Sequence, residues 1–320
     1  MSRATLAVDD LVAAARSGSH RAVARLITLV ENDSPQLRPA MKALAPYAGH
    51  ARLIGLTGSP GVGKSTTTSA LVAAFRAQDL RVGVLAVDPS SPFSGGALLG
   101  DRIRLSDHAL DPGVYVRSMA TRGHLGGLAW AAPQALRVLD AAGCDVILIE
   151  TVGVGQSEVE IAGMADTTVV LLAPGMGDGV QAAKAGILEV GDVFVVNKAD
   201  RDGADATVRE LRQMLTLGAA PAAGAWRAPV EKLVAASGSG LDEVLAALDK
   251  HWSWLASSGE LAARRTRRAS DEILALALGE LRSRMGTLDD HALLASLASS
   301  VVAGSADPYS AADELVASVS

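Results

Sequence analysis

From residue 51 to 240, short apolar runs alternate with longer stretches of helical period. The runs fall at 52–57, 81–87, 114–117, 144–150, 167–173, 193–197 and 228–235, and each reads as a strand. Most are near-continuously apolar rather than alternating, so both faces of each strand need a cover. Stretches 65–76, 125–142, 157–164, 180–190 and 204–215 supply helices between them. Strand and helix in turn predict an α/β fold with a mostly parallel, doubly wound sheet.

Outside that core the period is helical alone. Asp9 and Asp10 can open a helix carrying Leu11, Val12 and Ala15, and 21–30 places Ala22, Leu26, Leu29 and Val30 on one side. A turn with two prolines at 32–39 leads into a third helix at 36–47. This N-terminal helical extension is expected to pack on its own domain. Beyond Gly240, helices are predicted at 241–255, 260–285, 289–298 and 311–319. The expected division is an N-terminal helical extension at 1–50, an α/β domain at 51–255 and a C-terminal helical arm at 256–320.

Composition narrows the class without naming a ligand. The chain has 320 residues, is 49% hydrophobic and 3% aromatic, and carries a net charge of −6. An aliphatic core of some size is affordable, and no basic footprint for nucleic acid or an anionic membrane is present. No apolar run is long enough to span a bilayer, and the acidic start does not resemble a signal peptide. One cysteine, Cys144, is expected in the core, and a lone thiol fits a reducing, cytoplasmic setting. The six histidines are scattered and form no short metal cluster with it. Arg264, Arg265, Arg267 and Arg268 make a basic knot that reads as a solvated helix face.

The chemistry begins at Gly58-Ser59-Pro60-Gly61-Val62-Gly63-Lys64-Ser65, which has the G-x-x-x-x-G-K-S pattern of a Walker A phosphate loop. It lies between an apolar run and a helix, as that loop requires. Its glycines let successive N–H groups face one anion, and the following helix adds its positive end. Lys64 can reach the β and γ phosphates; the Ser65 hydroxyl can ligate magnesium, and Thr66 continues the cradle.

Three further segments fall at carboxyl ends of predicted strands, where ligands bind in open α/β sheets. Asn197-Lys198-Ala199-Asp200 is N-K-x-D, the guanine-reading pattern of phosphate-loop GTPases. An Asp200 carboxylate accepts from the guanine N1–H and exocyclic amine, which adenine does not offer in that arrangement. Ser237 and Gly238, after the last strand, are a weaker candidate for a backbone contact to the base. Glu150-Thr151-Val152-Gly153 is E-x-x-G where most such GTPases have D-x-x-G. Glu150 can orient a magnesium water, the Gly153 N–H can meet the γ-phosphate, and Gln156 can position water. Asp88 and Asp101 complete the acidic set near the metal. Arg102, Arg104 and Arg122 are candidates for an arginine finger.

The combination of D-P-S-S at 88–91, G-G-x-L-L-G-D-R-I-R at 95–104, Arg117, G-H-L-G-G at 123–127, E-T-V-G-V-G-Q-S-E at 150–158 and N-K-A-D at 197–200 resembles the methylmalonyl-CoA mutase-associated GTPases. These are chaperones of adenosylcobalamin-dependent acyl-CoA mutases. The resemblance spans roughly residues 50–250. It implies a magnesium-dependent GTPase that binds GTP and GDP and assists loading, protection or reactivation of such a mutase. It also implies a homodimer formed with the C-terminal arm. Lys64, Ser65, Asp88, Asp101 and Glu150 would serve phosphate and magnesium, and Asn197 and Asp200 guanine. The family's mobile G-D-x-x-Q-x-x-K-K-G segment is matched here at Gln181 and Lys184, but Ala185 replaces the second lysine. Two other readings stay open: an accessory GTPase for a nickel enzyme, against which the lack of a Cys/His cluster counts, and a nucleotide-dependent protein kinase. A pure binding module is disfavoured by Lys64 and its neighbouring carboxylates.

Overall fold

The structure is a computed structural model in which residues 7–89, 108, 110–121, 127–151, 163–175, 187–217, 224–285 and 292–319 are described. Seven parallel strands form one sheet in the order β3-β2-β4-β1-β5-β6-β7. They are β1 Arg52–Thr57, β2 Val82–Pro89, β3 Val114–Thr121, β4 Val146–Thr151, β5 Thr167–Leu172, β6 Val193–Asn197 and β7 Val230–Leu233. Every strand lies within one of the apolar runs or extends it. The third runs four residues beyond its apolar core, to Thr121, because β2 pairs with it along its whole length. Asp88 consequently lies within β2 rather than after it.

Alternation of side chains across the pleat divides the core in two. Ile147 and Ile149 of β4 face the same cluster as the helices α1 Val8–Arg16, α2 His20–Glu31, α3 Leu37–Leu44 and α5 Gly127–Ala141. Val146 and Leu148 of the same strand face the opposite cluster, with α4 Lys64–Arg76 and α8 Leu241–Ser258. A third cluster joins β5 and β6 to α7 Ala204–Leu217, with the short α6 Ile187–Val190 preceding β6. The N-terminal helices are thus part of the sheet's cover. Ser19 caps α2, and the His20 ring lies 4.2 Å from that of Tyr115 on β3. Arg117, a member of the sequence pattern above, pairs here with Glu31 of α2 and donates to the Thr28 hydroxyl at 3.3 Å. Cys144 precedes β4 and is buried; burial, with Asp140 and Asp145 nearby, pushes its thiol well above the ordinary range, so it is an inert core group.

The basic knot on α9 Glu260–Met285 is not a solvated face. Three of its four arginines reach two buried aspartates at the amino edge of the sheet. Arg265 and Arg268 bind the Asp166 carboxylate at 2.8 and 2.6 Å, and the Leu53 N–H donates to it at 3.1 Å. Arg264 grips Asp192 with two parallel bonds of 2.9 Å. His251 lies 3.3 Å from the same carboxylate, and its other ring nitrogen is 2.9 Å from the Thr167 hydroxyl. Arg267 alone points outward, to Glu260. A carboxylate taken out of water needs a counter-charge, and here α9 supplies it. Period and composition do not report this, because Asp166 and Asp192 stand far from the arginines in sequence.

The chain divides into two compact units, Met1–Arg268 and Ala269–Ser320. In the second, the remainder of α9 is followed by α10 Ala292–Val302 and α11 Pro308–Val319, which pack on each other. Its part of α9 exposes Ile273, Leu274, Leu276, Leu278 and Leu281. Among the described residues no helix is long and apolar enough to cross a membrane.

Asp166→Ala leaves two arginines and the Leu53 N–H facing an empty pocket. Urea unfolding is expected to show a loss of about 3–5 kcal/mol; a change below about 1 kcal/mol would mean the clamp is only decorative. Acid should weaken the same clamp. Burial pushes the Asp166 and Asp192 carboxyls up, but bonds and charge from Arg265 and Arg268, and from His251 and Arg264, outweigh it and hold both below the ordinary range. Folded values below unfolded ones stabilise the protein above about pH 4. That stability is lost as pH falls from there through the folded values, and an unfolding series from pH 6 to 2 reads it.

Candidate functional site

The site is built at the carboxyl edge of the sheet. β1 ends at Thr57, and the chain turns through Gly58 to Gly63 before α4 starts at Lys64. Gly58, Gly61 and Gly63 have φ of 141°, 80° and 96°, a region side-chain-bearing residues rarely enter. Two of these glycines are also required by their surroundings. A Cβ on Gly58 would collide with the Leu171 carbonyl oxygen of β5, and one on Gly63 with the Asn197 amide. Val62 points into the core, while Ser59 and Pro60 form the outer rim of the turn. The first turn of α4, including Thr66, leaves backbone N–H groups without helical acceptors, which is a ready anion cradle.

Lys64 is folded into this loop. Its ammonium donates to the carbonyls of Gly58 at 2.6 Å and Ser59 at 3.1 Å. The sole cation of the phosphate loop is therefore held directly beside the cradle it completes. Beyond it, β4 runs beside β1 with Glu150 level with Leu56. That register sets the Glu150 carboxylate against α4. The Ser65 hydroxyl donates to its Oε1 at 2.6 Å and the Thr68 hydroxyl to its Oε2 at 2.9 Å. All three residues are buried. A hydroxyl and a carboxylate joined this way are an oxygen donor set of the kind magnesium takes. Ser65 and Glu150 fit that ion.

The third part comes from β6. Asn197 is its last residue and is buried; Lys198 follows in a left-handed conformation at φ 56°. The Asn197 amide nitrogen donates to the Val62 carbonyl at 2.8 Å, and its oxygen accepts from the Ala235 N–H at 3.1 Å. Lys198 donates to the Gly61 carbonyl at 2.6 Å. The N-K-x-D turn is thus stitched to the phosphate loop on one side and to the strand-end turn of β7 on the other. Asp200 is left exposed at the tip. Ser237 and Gly238 close the β7 turn, their N–H groups donating to the Val234 carbonyl at 3.0 and 2.9 Å.

The fold therefore brings Gly58 to Thr66, Glu150, Asn197, Lys198 and Asp200 to one edge, with Ser237 and Gly238 beside them. The backbone of Asp88 lies one residue before the end of β2, two strands from β1, on the same edge. Asp101, Gly153, Gln156, Gln181 and Lys184 lie outside the described residues, as do Arg102, Arg104 and Arg122. Thr68 was not foreseen. The signal for it was present, since Ser65 and Thr68 are three apart on one helix and so share a face.

A family profile described as methylmalonyl Co-A mutase-associated GTPase MeaB matches residues 23–289. The chain is 47% identical over 308 residues to a chain named as a GTPase in Pyrococcus horikoshii, covering 96% of both. It is 35% identical over 275 residues to the mitochondrial methylmalonic aciduria type A homolog of Caenorhabditis elegans, covering 81% of this chain and 69% of that one. Among solved structures it is similar to a LAO/AO transport system kinase, with a TM-score of 0.73, 26% identity and coverage of 100% and 99%.

Gly63→Ala is expected to force the Asn197 amide aside and so disturb both ends of the cradle at once. Strain of this kind is worth about 1–3 kcal/mol, so affinity for a fluorescent guanine nucleotide should fall roughly fivefold to a hundredfold. Unchanged affinity would show that the Val62–Asn197–Ala235 stitch does not govern binding.

Proposed function

The chain belongs to the MeaB family of methylmalonyl-CoA mutase-associated GTPases, and from that footing we propose that it is a magnesium-dependent GTPase serving as chaperone to an adenosylcobalamin-dependent acyl-CoA mutase. Family membership makes it a guanine nucleotide-binding hydrolase. The observation that supports the guanine-nucleotide part of this reading is the tie between Asn197 and the phosphate loop. It holds a guanine-type reader and a phosphate cradle in one fixed relation, so a nucleotide is gripped at both ends.

Each residue then has a task. The turn from Gly58 to Gly63 and the first N–H groups of α4 receive the phosphates, and Lys64 adds the positive charge. Ser65 and Glu150 would hold the magnesium ion, and Asp88 and Asp101 are assigned to the same ion. When bound, that ion would supply charge neutralisation for the β and γ phosphates. Asp200 accepts from the guanine N1–H and amine, while Asn197 holds the turn in place. Gly153, Gln156, Gln181 and Lys184 are assigned to γ-phosphate sensing, water positioning and signalling to the mutase.

The family's description and the name of the worm relative support a mutase of the methylmalonyl-CoA type as the partner. The lone buried cysteine supports a cytoplasmic setting. Leu274, Leu278 and Leu281 recur at helical spacing on the exposed face of α9 and support a homodimer through the C-terminal arm.

Purified protein is expected to hydrolyse GTP slowly, to prefer it to ATP, and to accelerate when an adenosylcobalamin mutase is added. Asp200→Ala should weaken GTP binding roughly a hundredfold, as loss of a charged hydrogen-bond partner does, and erase the preference over ATP. Equal turnover of both nucleotides with no response to mutase, or phosphoryl transfer from nucleotide to a partner protein, would overturn this function. Leu278→Glu should convert a dimer to a monomer in light scattering; a wild-type monomer would rule out the dimer.

A further inference from the structure

Glu150 stands where most phosphate-loop GTPases carry the shorter aspartate, and the extra methylene adds a torsion the protein must control. A carboxylate on the longer arm can swing, and a swinging carboxylate is a poor partner for a small cation with strict geometry. The structure holds both of its oxygens. Ser65 takes Oε1 at 2.6 Å, and Thr68, one helical turn further along α4, takes Oε2 at 2.9 Å.

We propose that Thr68 is a positioning residue of the magnesium site: its hydroxyl fixes the rotation of the Glu150 carboxylate, so that one oxygen stays directed toward Ser65 and the cradle. The Thr68 side chain has no other polar duty of comparable strength. Its second acceptor is the Lys64 carbonyl at 3.1 Å, a local back-bond within the helix. An ionised acceptor draws a hydroxyl more strongly than a carbonyl does. Thr68 is fully buried and Glu150 is 5% exposed, so water does not replace the bond when it is lost. The β-branch of threonine restricts χ1, which aims the hydroxyl at little entropic cost. Glutamate at 150 and a hydroxyl at 68 thus act as a matched pair, and beside the shorter aspartate the hydroxyl would keep only its back-bond to the Lys64 carbonyl.

This inference rests on Glu150 being a magnesium carboxylate, so the test separates the two. Release of a fluorescent GDP from the full chain is followed across a magnesium titration, with GDP affinity in EDTA and melting temperature measured in parallel. Wild-type release is expected to slow with magnesium; release indifferent to magnesium overturns both the site and the role of Thr68. If release depends on magnesium, Thr68→Val should raise the half-saturating concentration about tenfold to a hundredfold. GDP affinity in EDTA should stay within about twofold, and Thr68→Ser should restore the wild-type midpoint. Thr68→Ala provides the same comparison if the valine variant melts too low to assay. In the E150D background, Thr68→Val should add less than about a twofold change, because the shortened carboxylate no longer depends on it. An unshifted midpoint in T68V, an equal shift in T68S, or the same shift in the E150D background would each overturn the proposal while leaving the magnesium site intact.

Discussion

A carboxylate removed from water must find partners, and how it finds them organises this molecule. Both edges of the sheet bury carboxylates, and they are satisfied in opposite ways. At the amino edge Asp166 and Asp192 meet arginines, charge against charge. Such a pair is complete in itself, and its consequence is structural: residues 260–268 are fixed across the starts of β5 and β6. At the carboxyl edge Glu150 meets two neutral hydroxyls, from Ser65 and Thr68. These two bonds fix the orientation of its carboxylate against α4.

The parallel arrangement makes this division consistent. All seven strands point the same way, so their starts share one edge and their ends the other. Loops with chemistry gather where the strands end, and the anchoring of terminal helices gathers where they begin. The N-terminal helices cover one face through α5 and β3, with Glu31 and Arg117 joined across the contact. Neither anchorage intrudes on the phosphate loop.

Within the site, a single side chain links the two recognition tasks. The Asn197 amide uses its nitrogen on the Val62 carbonyl and its oxygen on the Ala235 N–H. It therefore acts chiefly as a bracket, and Asp200 stays exposed at the tip of the turn. The glycine at 63 is the other half of that bracket, because any side chain there would occupy the space of the amide. Hydrogen bonds join the phosphate loop, the N-K-x-D turn and the turn after β7 into one assembly.

The seven strands were legible from apolar runs, since a strand covered on both faces has no other composition open to it. The phosphate loop and the N-K-x-D turn were legible as segments because their backbone and hydrogen-bonding demands admit few residue types at fixed spacing. Strand ends were less so: β3 reaches Thr121 because β2 offers it a full ladder, and a pairing partner is not visible locally. The arginines at 264, 265 and 268 looked like a solvated face, since their charge was visible and the buried aspartates that claim it, 72 to 102 residues earlier, were not. Thr68 passed as one hydroxyl in a run of threonines. Sequence by itself determined which chemistry the chain carries, because phosphate, guanine and a buried sheet each demand particular residues in order. Only the tertiary structure decided which carboxylates meet arginines and which meets hydroxyls, because that depends on the groups folding brings within hydrogen-bond reach.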